Sequence, residues 1–162
     1  MKVSEIPYKR YTIEEGKAEF SQFKAKAESA KNASELIKAR EHMLTLMDEY
    51  STAASLANCR FTLNTADEFY KAEMDYYDEN GPLFSELFTM YADIMLSSPY
   101  KSDAEKLINP QIFKKLECTK KAFSPEITEL SQKENALVTE YSQFMSALEF
   151  DFRGEKMPLS VI

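Results

Sequence analysis

The sequence predicts an all-α protein: an antiparallel helical bundle with long helices, one of them kinked at a proline, followed by a short C-terminal β-hairpin. Apolar residues recur at steps of three and four along most of the chain, which is the rhythm of one helix face. Only three glycines and six prolines interrupt 162 residues, so long helices are permitted. An apolar content of 44% with 29% charged residues is typical of a globular domain with a core.

The first two helices are predicted from capping residues and the apolar stripes behind them. Thr12 and Glu15 have the spacing of a capping box, and Asn32 with Glu35 repeats the signal. The first stripe contains Ile13, Phe20, Phe23, Ala27 and Ala30. The second helix is expected to run unbroken, in steps that favour left-handed helix pairing, along Leu36, Arg40, Met43, Met47, Tyr50, Ala54, Ala57 and Phe61.

The third helix is predicted to be the longest, and to open with a second capping box from Thr65 to Glu68. Gly81-Pro82 would ordinarily end a helix. The apolar register nevertheless continues through it along Tyr70, Met74, Tyr77, Phe84, Phe88, Tyr91 and Met95. We therefore expect one helix that is kinked where the Pro82 ring displaces the carbonyl of Asp78, and that ends near residue 97.

The later helices are predicted from their start signals. Ser102 begins a short helix, and Asn109-Pro110 and Ser124-Pro125 each place a capping residue before proline, which is a favoured start. The helix after Pro110 is expected to bury Ile112, Phe113, Leu116 and Phe123. The last helix is expected to turn its own stripe toward the core, with Ile127, Leu130, Glu134, Leu137, Tyr141, Phe144 and Leu148.

The C-terminal residues change from helical to alternating rhythm. Leu148, Phe150 and Phe152 alternate with charged residues, residues 153–155 can turn, and the alternation resumes along Met157, Leu159 and Val161. A lone two-stranded hairpin is marginal in water. We therefore expect residues 1–148 to form an N-terminal helical domain, and residues 149–162 to form a hairpin that leads into a missing catalytic domain.

Charge and composition exclude several classes of partner. A net charge of −7, from 27 acidic and 20 basic side chains, repels phosphate backbones and anionic lipids, so we expect neither nucleic acid nor membrane partners. The four lysines between residues 114 and 121 are expected on a solvated helix face. The sequence has no signal peptide and no long apolar run, which predicts a cytoplasmic protein. Cys59 and Cys118 are then expected to be free, half-buried thiols.

The sequence predicts no catalytic and no metal-ligating residue in this chain, and it leaves the substrate-binding residues unknown. Its single histidine, His42, has no second imidazole with which to hold zinc, and Ala39 stands where a Glu-x-x-His di-iron motif needs glutamate. Three isolated glycines form no phosphate-binding loop. His42 is therefore expected to be solvated or structural, and no cofactor is expected within these residues.

Two further patterns allow alternatives. Arg40 and Glu134 interrupt apolar stripes, so they either form a buried ion pair between two helices or extend to water at the ends of the stripes. The aromatic residues between positions 69 and 77 either line a ligand groove or belong to the core, and aromatics at helical spacing are more often core.

Several short strings follow one another at fitting intervals: Ser4 to Tyr8, Thr65 to Tyr70, Phe123 to Ile127, Glu134-Asn135, Tyr141, Phe152 to Glu155 and Leu159-Ser160. None is a catalytic signature. In this order and spacing they resemble the N-terminal region of oligoendopeptidase F, which belongs to the thimet-oligopeptidase-like family of zinc metallopeptidases. The resemblance covers the whole chain. One departure is Phe61, which follows Arg60 where the family often has histidine.

The resemblance implies that the catalytic part lies beyond Ile162. There the family carries His-Glu-x-x-His and a further glutamate, whose zinc activates the water that attacks a peptide carbonyl. The helical N-terminal part forms much of one wall of a deep channel that encloses short peptides. This chain would then supply wall and gate, bind no zinc and cleave nothing alone. Its partners would be oligopeptide substrates and the C-terminal catalytic region of the complete enzyme.

The alternative interpretation is a free-standing helical module that binds a protein or a peptide. A fragment should expose an apolar surface around Phe150, Phe152, Val161 and Ile162 and associate on its own, whereas a finished module should have a closed surface. An independent enzyme that uses His42 as its base is a third interpretation, for which the sequence offers no second catalytic group.

Overall fold

A computed structural model of the chain describes residues 5–122 and 124–158. In this part of the chain the helices are α1 (Ile13–Ser29), α2 (Ala33–Ala39), α3 (Glu41–Leu63), α4 (Glu68–Ser97), α5 (Lys101–Leu107), α6 (Pro110–Ala122) and α7 (Thr128–Ala147). A short 3-10 turn over Pro125–Ile127 precedes α7, and β1 (Glu149–Phe152) pairs antiparallel with β2 (Glu155–Pro158). The predicted all-α fold class with a C-terminal hairpin is confirmed.

Three of the predicted helix starts are confirmed by their capping hydrogen bonds. The Glu15 amide donates to the Thr12 hydroxyl at 3.2 Å, while the Thr12 amide donates to the Glu15 carboxylate at 2.8 Å, which completes the capping box. Asn32 accepts from the amide of Glu35 at 3.0 Å. Asn109 accepts from the amide two residues later at 2.9 Å, directly before the proline that begins α6. Each bond satisfies an amide that has no partner inside its helix.

Three predicted starts differ from the structure by one to three residues. Ser124 precedes the 3-10 turn that Pro125 begins, whereas α7 itself begins at Thr128 without a side-chain cap. α4 is capped by Asp67, whose carboxylate accepts from the Tyr70 amide at 3.0 Å, and not by Thr65. A cap must directly precede the first helical residue to reach the amide of the third one, and Thr65 lies too early for that. α5 begins at Lys101 without a side-chain cap, so Ser102 lies inside this helix instead of capping it.

The predicted second helix is divided at Arg40 into α2 and α3. The Arg40 carbonyl accepts from the amides of both Met43 and Leu44, at 2.9 and 3.1 Å, so the hydrogen-bond ladder tightens locally. The division lets α2 pack against α1 and α5, while α3 packs against α1 and α4. The predicted apolar stripe is still buried on both sides of this division, since Leu36 of α2 and Phe61 of α3 are both buried.

The core lies among α1 to α6, and its largest fully buried side chains are Tyr91, Phe23, Phe84, Phe113, Leu36, Met43, Leu46 and Met95. Phe23 meets Tyr91 edge-on at 5.1 Å between ring centroids, which is a favoured aromatic geometry. Gly16 of α1 permits the close approach of α4, since a Cβ at this position would lie 2.7 Å from a ring carbon of Phe84.

The hairpin has the predicted strands, and its register pairs Phe150 with Met157 and Asp151 with Lys156. Arg153 and Gly154 make the turn with φ values of 56° and 89°. Positive φ at both central residues gives a turn whose twist matches that of two antiparallel strands. The predicted continuation of the alternation through Leu159 and Val161 lies outside the described residues, as does the predicted burial of Phe123.

Candidate functional site

The most distinctive site in the described part of the chain is the proline position in α4. The helix continues through Gly81 and Pro82, as predicted, to Ser97. Because proline has no amide hydrogen, the carbonyl of Asp78 lacks its usual helical donor. The Asn135 side-chain amide of α7 supplies one at 3.1 Å, and that of Gln132 donates to the Glu79 carbonyl at 2.8 Å. Side chains of α7 therefore bind the backbone of α4 beside the proline.

Two further bonds extend this contact along α7. The Thr139 hydroxyl donates to the Asp78 carboxylate at 2.5 Å, and the Gln143 amide donates to the carbonyl of Thr65 at 3.2 Å. Gln132, Asn135, Thr139 and Gln143 follow helical spacing and form what we call the polar face of α7. Burial raises the pKa of Asp78, and the hydrogen bond from Thr139 opposes that shift.

The opposite side of α7 is apolar and exposed. The exposed fractions are 64% for Leu130, 64% for Leu137, 59% for Val138, 63% for Tyr141 and 60% for Phe144, and these residues form the apolar face of α7. The prediction that this stripe turns toward the core is therefore wrong. The polar face of α7 supplies a donor to the Asp78 carbonyl, which the proline leaves without one, and apolar side chains could not do so.

The hairpin extends this apolar surface. Phe150 is 41% exposed and Phe152 is 37% exposed, as predicted for a chain whose surface is not closed. Val161 and Ile162, which were expected to join them, lie outside the described residues. Large apolar groups that cluster on a surface commonly mark a place where another protein surface packs.

A cleft of about 760 Å³ lies beside the contact between α4 and α7. Its walls include Tyr50 of α3, Phe88 and Met74 of α4, and Ile127 before α7. Among the described residues that line it, Asp78 is the one with a formal charge. The volume is within the range of sites that take a small ligand or a side chain of a partner.

The aromatic stretch of α4 anchors the segment that precedes α1. Tyr76 accepts a hydrogen bond from the Ile13 amide at 2.9 Å, and Tyr77 accepts one from the Tyr11 amide at 3.0 Å. Tyr77 is buried, whereas Phe69 is 54% exposed and meets Tyr8 edge-on. The stretch therefore contributes to the core and to anchoring, which is the second of the two alternatives that the sequence allowed.

Glu73 provides the charged part of this anchor. It is 6% exposed and accepts two bonds from Arg10, at 3.0 and 2.6 Å, and one from the Tyr8 hydroxyl at 2.5 Å. Burial alone would raise the pKa of Glu73, but the hydrogen bonds from Arg10 and Tyr8 outweigh it and the pKa is lowered. Burial and the bond to Glu73 raise the pKa of Tyr8. Sequence reasoning missed this cluster, since no motif marks it.

The polar residues singled out from the sequence have structural partners. Arg40 donates to the Tyr91 hydroxyl at 2.8 Å, while Glu134 is exposed on α7, so the hypothesised buried ion pair between them is wrong. His42 contacts the Glu19 carboxylate at 2.8 Å through Nδ1 and the Lys26 ammonium at 2.6 Å through Nε2. It thereby connects α1 to α3, which fits the structural role expected of it.

The remaining predictions concern thiols, lysines, metals and membranes. Cys59 and Cys118 are free, as predicted, but they are exposed and not half-buried. The four lysines of α6 are exposed, as expected of a solvated face. Within residues 5–122 and 124–158, no group of three or more histidine, cysteine, aspartate or glutamate side chains could hold a metal ion. None of the helices in the same residues is long and apolar enough to span a membrane.

This helical body with its attached hairpin has the architecture of a peptidase N-terminal region. The family model of the Peptidase M3 N-terminal domain matches residues 3–123, and the chain belongs to that family. None of the curated proteins matches the chain.

Solved structures support the same assignment. The chain is 36% identical to Pz peptidase A with inhibitor 2, with a TM-score of 0.92, and 98% of it is covered against 28% of that protein. An oligoendopeptidase F structure is 34% identical, with a TM-score of 0.92, and the match covers 99% of this chain and 28% of that one. A structure assigned to oligoendopeptidase F from Bacillus anthracis strain Ames is 31% identical, with a TM-score of 0.90 over 97% of this chain and 29% of that one. This chain thus spans less than a third of the proteins that it resembles.

Proposed function

We propose that this chain is the N-terminal wall and gating region of a zinc-dependent oligoendopeptidase that hydrolyses short peptides, and that it is not catalytic by itself. The observation that carries the proposal is the exposed apolar face of α7 in a chain that belongs to the Peptidase M3 N-terminal domain family. The occupant that we propose for this face is the remainder of the same peptidase, which the solved relatives possess and this chain does not span.

The chemistry of the face supports a large apolar partner. Five of its side chains are each more than half exposed, and two phenylalanines of the hairpin continue the surface. Burying a leucine or phenylalanine side chain contributes about 1.5–3 kcal/mol, so covering the face would contribute several such increments. A charged or small ligand would not recover that free energy, whereas the packed surface of another domain would.

Zinc belongs to the part of the peptidase that we place outside these residues. The described residues do not fit a zinc site, because His42 is engaged by Glu19 and Lys26 and no second histidine exists. In the complete enzyme zinc would supply an activated water for peptide hydrolysis. The role of this chain would be to bound the channel and limit access to short peptides. The cytoplasmic location expected from the sequence stays a prediction.

The experiment that tests the proposal compares this chain with the product of its complete gene. We expect the reading frame to continue beyond the Ile162 codon and to encode His-Glu-x-x-His. The complete protein should contain zinc and cleave a short quenched-fluorescence peptide but not a folded protein, while residues 1–162 alone cleave neither. A reading frame that ends without a zinc motif, or cleavage by this chain alone, would overturn the proposal.

The cleft beside Asp78 favours a second candidate, which is a free-standing module that binds a peptide or a protein. Such a module would be a monomer or an oligomer of defined size, and it would bind its partner without any further domain. Sedimentation of the isolated chain separates the two candidates. Open-ended, concentration-dependent association through the apolar face of α7 supports the peptidase fragment, and a stable monomer or an oligomer of defined size supports the module.

A further inference from the structure

α7 differs from the helices before it in what it buries. The helices α1 to α4 and α6 each bury two or more side chains that belong largely to the apolar core, whereas the described side chains of α7 include one buried residue, the polar Thr139. The match to the family's N-terminal domain ends at residue 123, directly before the turn that leads into α7. The packing of α7 and the end of the family match thus both place a boundary just before the turn that leads into α7.

The bonds that attach α7 to α4 are of a kind that can open and close. Gln132 and Asn135 donate from neutral amides to backbone carbonyls, and Thr139 donates to a carboxylate. Water can replace a neutral amide at a carbonyl, so each such bond adds only modest net stability. The described side chains of α7 contribute nothing to the apolar core of the body, so that core does not depend on them.

The proline makes this opening possible without damage to α4. In an ordinary helix the carbonyl at position 78 would already be bonded to the amide at position 82. At Pro82 that amide hydrogen is absent, so the Asp78 carbonyl is available to Asn135 and can pass to water when α7 moves away. The helix loses none of its own hydrogen bonds in that exchange.

The surroundings of α7 leave room for such a movement. The cleft of about 760 Å³ lies on one side of its contact with α4, and a second cleft of about 570 Å³ lies on the other. Asp78 borders both clefts, so open space lies on either side of the contact at this residue.

We propose that α7 and the hairpin belong mechanically to the part of the peptidase that follows, and that the amide-to-carbonyl contact at Pro82 is a reversible joint between this unit and the body formed by α1 to α6. This inference rests on the proposed function, since the partner of the apolar face is the remainder of the peptidase. It places the structural boundary between α6 and the 3-10 turn that precedes α7, whereas the alternation of the hairpin predicts one at residue 148.

Hydrogen–deuterium exchange of the 162-residue chain, read by mass spectrometry, distinguishes the two boundaries. We expect the amides of α7 to exchange at least tenfold faster than those of α1, α3 and α4, because α7 can open without unfolding the body. Asn135→Ala should accelerate exchange in α7 by a further factor of about five, the effect of one lost hydrogen bond, with no change in α1 and α3. Alanine is a better helix former than asparagine, so faster exchange would not reflect lost helix propensity.

Glu134→Ala is the matched control, because Glu134 is the neighbouring residue and lies on the exposed side of α7. It should leave every exchange rate unchanged. Gln132→Ala is a second variant at the joint and should act like Asn135→Ala. If the amides of α7 and α4 exchange together in one cooperative opening, the proposed joint is refuted and the boundary stays at residue 148. Peptide hydrolysis by the complete protein tests the proposed function separately. A failure of the proposed joint can therefore be distinguished from a failure of the proposed function.

Discussion

The buried carboxylate of Glu73 gives the sharpest test of how the N-terminal segment is held. Glu73→Gln preserves the size of the side chain and removes its charge. The change would weaken both bonds from Arg10 and would leave the Tyr8 hydroxyl facing an amide instead of a carboxylate. Since these contacts connect residues more than sixty positions apart, we expect the change to lower the stability of the whole body.

The size of the expected loss of stability follows from how deeply Glu73 and Arg10 are buried. Removing one partner of a fully buried ion pair costs about 3–5 kcal/mol, because the remaining charge stays buried and unpaired. The Arg10 side chain is 38% exposed, so water can solvate its guanidinium after the change. We therefore expect Glu73→Gln to lower the free energy of unfolding by about 2 kcal/mol, which is near the contribution of one hydrogen bond to a charged group.

The dependence on pH has a defined sign. The pKa of Glu73 is lower in the folded chain than in the unfolded one, so the unfolded state binds more protons as the pH falls. The stability that Glu73 adds is present above its unfolded pKa, about 4.3, and is lost as the pH falls through the lower folded value. Glu73→Gln should therefore destabilise the chain at neutral pH and reduce the loss of stability on acidification.

Urea denaturation followed by circular dichroism, repeated from neutral to acidic pH, measures both effects. The matched control is Lys9→Ala, which breaks the neighbouring pair with Glu15, where the side chains are 83% and 37% exposed. That pair should contribute much less to stability than the buried one, because water screens it. Two outcomes would refute the argument that burial decides the strength of this anchor. One is an equal loss of unfolding free energy in both variants, and the other is a loss of stability on acidification that is unchanged in Glu73→Gln.

Three further predictions concern packing, capping and the exposed surface. Gly16→Ala should lower the free energy of unfolding by about 1 kcal/mol in urea, since the clash at 2.7 Å with Phe84 outweighs the gain in helix propensity; a stabilised variant would show that the ring moves aside. Thr12→Ala should cost about 1 kcal/mol in the same assay through the lost cap, and Thr12→Ser, which keeps the hydroxyl, should not. Replacing Leu137 and Tyr141 together by lysine should abolish association in sedimentation experiments and leave the helical circular dichroism unchanged; unfolding would show instead that these residues support the fold.

The helix starts and the continuity of α4 could be predicted because their physics is local. A hydroxyl or carboxamide one residue before a helix satisfies a free amide wherever the helix packs, so Thr12 and Asn32 identified their helices. The unbroken apolar register predicted that the helix passes through Pro82. The cap of α4 was misassigned to Thr65 because Asp67 offers the same chemistry two residues later.

The orientation of α7 could not be predicted from its apolar stripe alone. A stripe shows that a helix buries one side, but it does not show whether the covering surface belongs to the same domain. The decisive signal was the polar face, where Asn135 and Thr139 recur at helical spacing, combined with the carbonyl that Pro82 leaves without a donor. Pairing these two signals requires knowing which helices are neighbours, and a single sequence does not supply that.

α4 carries two attachments of different physical character, and the difference bears on how the domain would work. At Glu73, charge-assisted bonds to a buried carboxylate fix the N-terminal segment in one geometry. One to two helical turns further on, beside Pro82, neutral amides contact carbonyls that water could also satisfy, and the neutral Thr139 hydroxyl donates to the Asp78 carboxylate. A domain that is rigid at its anchor and adjustable at its junction could keep its own shape while the attached helix follows another domain. Variants at Glu73 should therefore change the stability of the body, whereas variants at Asn135 should change only the docking of α7.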